Sequence, residues 1–332
     1  MLEAWFYKKL KDNIVQCELC PHFCSIKEGF RGKCGVRENK DGKLYSLVYG
    51  KLCSAAIDPI EKKPFFHFMP GSKAYSIATV GCNLRCSFCQ NWEISQMPKS
   101  EKIVGKDVSP EEIVEDAIAN NCESIAYTYT EPTVFFEYAY DIAKLAKKKG
   151  LKNVFVTNGF INKEPIDKIA KVIDAANIDL KGFSEDYYKD VCGARLKPIL
   201  DAIKYYHEKG VFLEITTLIV PGHNDEKLKE IASFIVSIDK DIPWHISRFY
   251  PHYKMEDTKP TPVETIHKAV EIGKKAGLKY IYAGNVPGDD YESTFCSKCG
   301  KKIISRFGFS VNEINLDKNK CKFCGEKVNI VR

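Results

Sequence analysis

In Thr79-Val-Gly-Cys82-Asn-Leu-Arg-Cys86-Ser-Phe-Cys89-Gln-Asn91, three cysteines stand in the pattern C-x3-C-x2-C directly after a strand-like run, Ala74 to Val80. We call residues 79–91 the cluster loop. A cubane [4Fe-4S] cluster takes four thiolate ligands. A loop that supplies only three leaves one iron able to chelate another ligand, so the spacing predicts an iron-sulfur site with one open iron.

Other interpretations of the cluster loop stay open at this point. The nearest further cysteines, Cys53 and Cys122, are distant in sequence and each stands alone, although folding could bring one of them close. A closed four-cysteine cluster or a zinc site would then result, since four thiolates serve either metal.

The residues of the cluster loop resemble those of the radical S-adenosylmethionine (SAM) enzymes. The resemblance implies that Cys82, Cys86 and Cys89 hold a [4Fe-4S] cluster and that the amino and carboxylate groups of SAM chelate its open iron. One electron would then split SAM into methionine and a 5'-deoxyadenosyl radical. Phe88, the aromatic residue before the third cysteine, would lie against the adenine of SAM.

The resemblance extends beyond the loop. Residues 72–290 are similar to the pyruvate formate-lyase activating enzyme group, and the whole chain with both ends resembles the radical SAM family of the AmmeMemoRadiSam system. That system is named for its association with Memo-type and AMMECR-type proteins, which the resemblance makes candidate partners. It also implies an electron donor such as ferredoxin or flavodoxin.

Composition narrows the class of protein. The 332 residues carry a net charge of +6 that is spread along the chain, which favours a solvated surface over nucleic-acid binding. Most of the 14 cysteines fall into closely spaced groups typical of metal ligation in a reducing compartment. We expect a cytoplasmic protein, because neither a signal-peptide core nor a membrane-spanning apolar run is present in the sequence.

From residue 72 onward, strand-like and helical stretches alternate, which predicts parallel strands with right-handed crossovers. Six units and a last strand fit the α/β class and an open partial (β/α)6 barrel, as in radical SAM enzymes; a complete barrel or a doubly wound sheet is the alternative. We predict a cysteine-rich N-terminal extension (1–71), the partial barrel (72–290) and a C-terminal ribbon (291–332). The predicted strands lie near Ala74 to Val80, Ser124 to Thr128, Asn153 to Thr157, Ala176 to Leu180, Val211 to Val220, Trp244 to Phe249 and Lys279 to Tyr282.

The N-terminal extension begins with residues 1–16, which we predict to form a short amphipathic helix with Leu2, Trp5, Phe6 and Leu10 on one face.

A compact cysteine knuckle follows this segment, and its turn glycines suit a tetrahedral thiolate site. Zinc and a second iron-sulfur cluster both fit, a structural site is favoured, and buried cysteines without metal are the alternative. Its candidate ligands are Cys17, Cys20, Cys24 and Cys34.

Polar residues at the ends of the predicted strands are candidate SAM contacts, because ligands bind at the carboxyl edge of parallel strands. Thr128-Tyr-Thr-Glu-Pro132 takes the place of the family's Gly-Gly-Glu-Pro element, with Tyr129 and Thr130 replacing both glycines. Asn158 belongs to a Thr-Asn-Gly element in which Val156 replaces the activating enzymes' aspartate. The resemblance implies that SAM is contacted by Thr130, Glu131, Asn158, Asp179, Lys181 and His223.

Two later features bear on the substrate. Glu214 begins Glu-Ile-Thr-Thr, where pyruvate formate-lyase activators use an arginine towards their protein substrate. The polar and aromatic stretch from Trp244 to Met255 supplies His245, Arg248 and His252 as candidate substrate contacts, with structural packing as the alternative.

The C-terminal extension carries two C-x2-C-G knuckles joined by a strand-like run, Ile303 to Asn315, which is a strong ribbon signal. Zinc is the default metal and a rubredoxin-like iron the alternative. The candidate ligands are Cys296, Cys299, Cys321 and Cys324.

Two classes of function compete for this sequence. The first is a radical SAM enzyme that abstracts hydrogen from a substrate, which could be a glycine in a partner protein, another peptide or a small metabolite. The second is an electron-transfer or zinc-ribbon protein without catalysis. Only the first accounts together for the three-cysteine loop, the polar strand ends and the (β/α) body.

Overall fold

The computed structural model describes residues 1–100 and 103–332 and is built around one eight-stranded sheet. The first strand runs antiparallel to its neighbour and the other seven run parallel. Strand order follows the chain without a reversal, so the sheet curls into a barrel that stays open between its two edge strands. Across the sheet the strands are Ser54–Pro59, Lys73–Ala78, Ser124–Tyr127, Lys152–Thr157, Ala175–Asp179, Phe212–Ile219, Trp244–Arg248 and Ile281–Gly284.

Helices cover the outside of this sheet, as the alternation predicted. The central strands are buried on both faces, which explains their nearly continuous apolar sequence. None of the helices in the described residues is long and apolar enough to cross a membrane. The α-helices are Trp92–Gln96, Pro110–Ala119, Phe136–Lys148, Lys163–Ile169, Glu185–Tyr187, Leu196–Glu208, Leu228–Ile238 and Val263–Ala276.

The prediction of a helix over residues 1–16 is wrong. This segment forms strands, because Phe6, Asp12 and Asn13 adopt positive φ angles of 57°, 56° and 55° that interrupt any helix. The apolar side chains of this segment pack against the outside of the barrel instead: Trp5 makes edge-to-face contacts with Phe136 and Tyr140. The strands of the N-terminal extension are Leu2–Glu3, Tyr7–Lys9, Val15–Cys17, Ser25–Ile26, Arg37–Lys40, Lys43–Ser46 and Lys51–Leu52.

The C-terminal extension is a small ribbon whose predicted long strand is divided by a turn at Gly308, where φ is 58°. The ribbon contacts both open edges of the barrel. Val311 lies against Gly71 beside one edge, and Phe307 approaches Gly288 beyond the other. Its strands are Thr294–Phe295, Lys302–Phe307, Ser310–Ile314, Leu316–Asp317 and Lys320–Cys321.

Candidate active site

A cavity of about 460 Å³ opens at the carboxyl end of the parallel strands. Most of the sequence-predicted SAM contacts line it, so the topology brings together residues that are up to about a hundred positions apart. The ribbon adds Phe309 and the segment after the first strand adds Lys62 and Lys63. Predicted residues in the lining are Cys82, Cys86, Cys89, Phe88, Thr130, Glu131, Asn158, Asp179 and Lys181.

Two of the three cysteines of the cluster loop, Cys82 and Cys89, have hydrogen-bonding groups next to their sulfur atoms. The Cys82 sulfur accepts from the backbone N–H of Leu84 at 3.3 Å and from Asn158 Nδ2 at 3.7 Å. Ser95 Oγ lies 3.3 Å from the Cys89 sulfur. Such donors stabilise the negative charge of a thiolate, so these side chains fit a [4Fe-4S] cluster bound by three cysteines.

Neither Cys53 nor Cys122 lines the cavity, so neither completes a fourth ligand position there. The structure instead brings in Cys192, which is fully buried and which sequence reasoning missed. A hydrogen bond from the Cys86 thiol to Cys192, together with burial, raises the pKa of Cys86 well above the ordinary thiol value. Cys192 is not part of the cavity lining, so the cluster loop alone supplies cysteines to the cavity.

Phe88 lies between the cavity and a second aromatic ring. Its ring is nearly parallel to that of Tyr187, with the ring centroids 6.4 Å apart and an interplanar angle of 13°. Tyr187 belongs to the segment that carries Cys192, and that segment bonds the cluster loop through the carbonyls of Val191 and Cys192. Phe88 therefore offers a flat, supported surface on which an adenine could stack.

Lys181 points from a strand end toward the cluster loop. Its Nζ bonds the Asp179 carboxylate at 2.8 Å and lies 5.8 Å from the centre of the Phe88 ring. Burial lowers the pKa of Lys181, but the nearby Asp179 carboxylate and Cys86 thiol outweigh it and raise the pKa well above its ordinary value. The cavity thus holds a permanent cation beside the position expected for an anionic cluster.

The turn that replaces the family's glycine-rich element keeps a glycine-like backbone. Tyr129 has a φ of 64°, the left-handed conformation that glycine adopts most easily. Its strain is offset by two contacts: Asn91 Nδ2 bonds its carbonyl at 2.8 Å, and its hydroxyl donates to Asp58 at 2.6 Å. Thr130 donates to the carbonyl of Thr79 at 2.7 Å, which fastens the turn to the start of the cluster loop.

Glu131 is buried and holds the neighbouring strand end in place. It accepts hydrogen bonds from the backbone and hydroxyl of Thr133, the hydroxyl of Thr157 and the backbone of Asn158. Burial raises the pKa of Glu131 although these bonds oppose the rise. In this structure its carboxylate positions Asn158, which in turn bonds Asn83 at 2.9 Å and Cys82.

The sequence analysis did not predict a group of charged side chains that is centred on Asp58, at the end of the antiparallel strand. Asp58 accepts from Lys62 at 2.8 Å, from Lys63 at 2.7 Å and from the Tyr129 hydroxyl, and these donors keep the pKa of Asp58 well below its ordinary value despite its partial burial. Lys63 is itself buried and lies 4.2 Å from the centre of the Tyr129 ring. The sequence does not reveal the complete group, because Tyr129 joins it from 71 positions further along the chain.

The remaining candidates lie away from the cavity lining. His245 is buried beneath it and bonds Glu214 at 2.6 Å, whereas Ser247 on the same face of the strand reaches the lining. Arg248 donates to the Thr261 carbonyl at 2.6 Å, on the opposite face. His252 contacts the Gln90 carbonyl at 3.2 Å, beside the cluster loop. His223 is exposed outside the lining.

Glu214 closes the base of the barrel. Its fully buried carboxylate accepts from His245 and from three consecutive backbone N–H groups, those of residues 66, 67 and 68, at 2.8–3.1 Å. Burial would raise the pKa of Glu214, but these donors lower it below its ordinary value. Glu214, which stands where the activators have an arginine, therefore links residues 66–68 to the barrel.

The same base holds the ribbon. His67 Nδ1 donates to the Asn329 carbonyl at 2.6 Å, and its Nε2 accepts from the Tyr282 hydroxyl at 2.6 Å. Tyr282 also contacts Thr294, to which Arg306 donates at 2.8 Å. A continuous chain of hydrogen bonds therefore joins the first extension, the last barrel strand and the ribbon.

Two further cysteine groups lie outside the cavity. Among the described residues, one group of three or more His, Cys, Asp or Glu side chains has all its ligand atoms within 4.8 Å of one another. We call it the C-terminal quartet; its members are Cys296, Cys299, Cys321 and Cys324. We call the other set the N-terminal quartet; its members, Cys17, Cys20, Cys24 and Cys34, line a second, smaller cavity.

These features define a class of protein, and comparison with known proteins agrees. A profile of the radical SAM superfamily matches residues 76–235. The chain belongs to the radical SAM superfamily, whose members use a [4Fe-4S] cluster and SAM, and its α/β partial barrel is the fold of that superfamily.

Three individual proteins show how similar the chain is to known sequences and structures. It is 50% identical over 336 residues to uncharacterized protein MJ0808 of Methanocaldococcus jannaschii, covering 100% of both chains. It is 24% identical over 218 residues to pyruvate formate-lyase 1-activating enzyme of Escherichia coli K12, covering 61% of this chain and 89% of that protein. The crystal structure of a radical SAM methyltransferase from Sphaerobacter thermophilus has the same fold, with a TM-score of 0.53, 15% identity and 71% of each chain covered.

Proposed function

We propose that this protein cleaves SAM reductively and directs the resulting radical at a hydrogen atom of a substrate held in the 460 Å³ cavity. The observation that carries the proposal is the meeting of three cysteines, Lys181 and several polar strand ends in a single cavity. A protein that only transfers electrons needs a closed cluster and no such polar cavity. A zinc-ribbon binding function in turn leaves the cluster loop unexplained.

Each residue has a role in this proposal. Cys82, Cys86 and Cys89 would hold the [4Fe-4S] cluster, which when bound supplies one electron to the SAM sulfonium. Lys181 would offset the negative charge of the cluster and of the SAM carboxylate, since a buried cation is poorly screened there. Phe88 would stack on the adenine.

The surrounding residues would hold these groups in position. Glu131 would do so indirectly, because it fixes Asn158 against the cluster loop. Thr130 would fasten the neighbouring turn, and Asp179 would orient Lys181. Positioned groups of this kind aim the reaction and limit access of water.

We further propose that the substrate differs from the glycyl-radical loop of pyruvate formate-lyase. Glu214, where an activator carries arginine, is buried at the base of the barrel and contacts only protein groups. Phe309 of the ribbon also occupies the cavity wall between the two barrel edges. Both features support a smaller or differently shaped substrate, while an activating enzyme for another glycyl-radical protein is the alternative.

The partners belong to the same proposal. A ferredoxin or flavodoxin would supply the electron, and Memo-like and AMMECR-like proteins are the first to screen as substrates or partners. What supports them is the resemblance of the full chain, including both extensions, to the radical SAM family of the AmmeMemoRadiSam system.

The test is SAM cleavage by anaerobically reconstituted protein with dithionite, measured as 5'-deoxyadenosine. Wild type should produce it, and the Cys82→Ala, Cys86→Ala, Cys89→Ala triple variant should produce none, because no iron remains to bind SAM. Cys53→Ala and Cys122→Ala are matched controls, since neither cysteine lines the cavity. Product formation by the triple variant at the wild-type rate would contradict the proposal.

A further inference from the structure

The N-terminal quartet lines a small cavity that is largely buried. Cys17 and Cys34 are buried, Cys20 and Cys24 are half-buried, and apolar side chains such as Leu19 and Ile26 fill the spaces between them. Cys17 ends a strand of the extension, whereas Cys20, Cys24 and Cys34 lie in the turns and loops that follow it, so the fold itself gathers them.

The spacing of the sulfur atoms differs from that of a single-ion site. A tetrahedral ion with metal–sulfur bonds of about 2.3 Å brings its sulfur atoms to about 3.8 Å from one another. The C-terminal quartet matches this, with 3.6 Å between Cys296 and Cys324 and 3.8 Å between Cys299 and Cys321. In the described residues, no three sulfur atoms of the N-terminal quartet all lie within 4.8 Å of one another.

The cluster loop gives a reference for the wider spacing within the same molecule. The three cysteines of this loop, like the N-terminal quartet, do not form a close group such as the C-terminal quartet, and they belong to the loop that binds a [4Fe-4S] cluster in this superfamily. A cubane takes each thiolate at a separate iron corner, so its sulfur atoms stand farther apart than those around one ion. The more open arrangement of the N-terminal quartet therefore suits a cubane better than a single ion.

Asn83, a residue of the cluster loop, lies directly beside the N-terminal quartet. Asn83 lines the cavity of the quartet, and its backbone carbonyl contacts His22 Nε2 at 2.8 Å. Its side-chain oxygen accepts from Asn158, whose Nδ2 also approaches the Cys82 sulfur at 3.7 Å.

The two backbones are also in direct contact. A Cβ atom placed on Gly81 would lie 2.7 Å from Val36 Cγ1 and 3.3 Å from the Cys34 carbonyl. Only glycine allows so close an approach, and its φ of 110° requires glycine as well. Groups bound at the two sites would lie close enough for direct electron transfer.

A buried cation stands beside the N-terminal quartet. Arg37 Nη1 lies 4.0 Å from the Cys17 sulfur and also donates to the Trp5 carbonyl at 3.0 Å. Glu137 pairs with the other nitrogen of the same fork and holds the guanidinium in place. A cubane with four thiolates gains negative charge when it is reduced, and a fixed positive group next to one thiolate stabilises that form.

We propose that the N-terminal quartet binds a second [4Fe-4S] cluster that passes electrons to the cluster held by Cys82, Cys86 and Cys89. The electron-transfer part rests on the proposed function. One electron enters from a low-potential one-electron donor, reduces the N-terminal cluster and moves to the SAM cluster, where cleavage of one SAM consumes it. The N-terminal cluster then returns to its oxidised state, so electrons balance in each turnover.

The first test removes the SAM cluster and asks what remains. The full chain with Cys82→Ala, Cys86→Ala and Cys89→Ala, reconstituted anaerobically, should still hold about four iron and four sulfide ions, the content of one cubane. Its reduced electron paramagnetic resonance spectrum should not change with SAM, because thiolates occupy all four irons. Adding Cys20→Ala and Cys34→Ala should remove the iron and sulfide.

One defined result would contradict the proposal of a second cluster. A triple variant that retains its circular dichroism spectrum but holds one zinc and no sulfide at the N-terminal quartet would overturn the inference. This result does not depend on SAM cleavage. If wild type failed to cleave SAM while the triple variant kept its cubane, the proposed function would fail and the second cluster would stand.

The second test concerns electron delivery. In the Cys20→Ala, Cys34→Ala variant, the SAM cluster should still form and its spectrum should still respond to SAM. Its reduction by a flavodoxin hydroquinone in stopped flow should be several-fold slower than in wild type. Reduction at the wild-type rate would overturn the relay and leave the N-terminal cluster a structural role.

Discussion

The two cysteine quartets have the same number of thiols and different surroundings. In the C-terminal quartet, Cys299 and Cys324 are exposed, and two short C-x2-C turns face each other across a ribbon. In the N-terminal quartet, the cysteines line a small cavity that Asn83 of the cluster loop also lines. Sulfur spacing and the neighbouring element, more than the count of cysteines, are therefore the basis on which we propose a stabilising ion for one quartet and a redox cluster for the other.

The largest expected effect is removal of the metal from the C-terminal quartet. Cys296→Ala with Cys321→Ala should lose one metal ion and lower the free energy of unfolding by roughly 5 kcal/mol, since binding of a structural ion is coupled to folding. The matched Cys20→Ala, Cys34→Ala variant should lose iron and sulfide instead. Elemental analysis and denaturant unfolding under anaerobic conditions measure both.

The same two variants also test whether the quartets have the different roles proposed for them. SAM cleavage without substrate should stay close to wild type in the C-terminal variant, because its cysteines lie outside the cavity. Loss of cleavage with the barrel and SAM cluster intact would mean that electrons enter through the ribbon, and the roles of the two quartets would be reversed.

A smaller effect is expected from Glu214→Gln, which tests how the ribbon is attached. The change leaves His245 without its buried anionic partner and places an amide N–H₂ against backbone donors, so it should cost about 4 kcal/mol in the free energy of unfolding. Glu230→Gln is the control, because its pair with Lys227 is exposed and contributes little. A loss equal to that of the control would show that Glu214 does not hold the base of the barrel.

The smallest of the three effects is a dependence on pH. Burial lowers the pKa of His67 to about 4, although Glu214 favours its charged form; Arg306 and His245 oppose charging, and Tyr280 and Tyr282 pack against its ring. The unfolded chain binds a proton near pH 6.5 and the folded chain only near 4, so stability is lost as pH falls through this window. By pH 5 the loss should be about 2 kcal/mol.

Chemical denaturation at pH 7, 6 and 5 measures this loss. His67→Gln removes the titrating group, so the slope with pH should become shallower in that variant. An unchanged slope would assign the pH dependence to another group and remove His67 as the acid-sensitive contact between ribbon and barrel.

The sequence predicted features that depend on local spacing. The cluster loop, the alternating strands and the C-terminal quartet each follow from residues close together in the chain, and the structure has all three. The first sixteen residues were predicted wrongly because their apolar spacing fits a helix, while Trp5 and its neighbours are held as strands by packing on Phe136, more than a hundred residues away.

The features that were missed are all made by distant partners. Cys192 reaches Cys86 through a turn about a hundred residues later in the chain. Glu214 was recognised as a departure from the activators, but its contacts with residues 66–68 become visible only once the strands are assembled. Sulfur spacing in the N-terminal quartet likewise depends on the folded chain, so the sequence left both zinc and a cluster open and favoured a structural site.

The pairing of the last residues with the start of the barrel has a consequence for synthesis. Val331 bonds the backbone on both sides of Phe68, and Asn329 accepts from His67, so the chain closes on itself across more than 260 positions. The base of the barrel cannot be completed while residues 329–331 are still inside the ribosome. The nascent barrel must wait, with its open edges unprotected, until this segment has emerged and is free to dock.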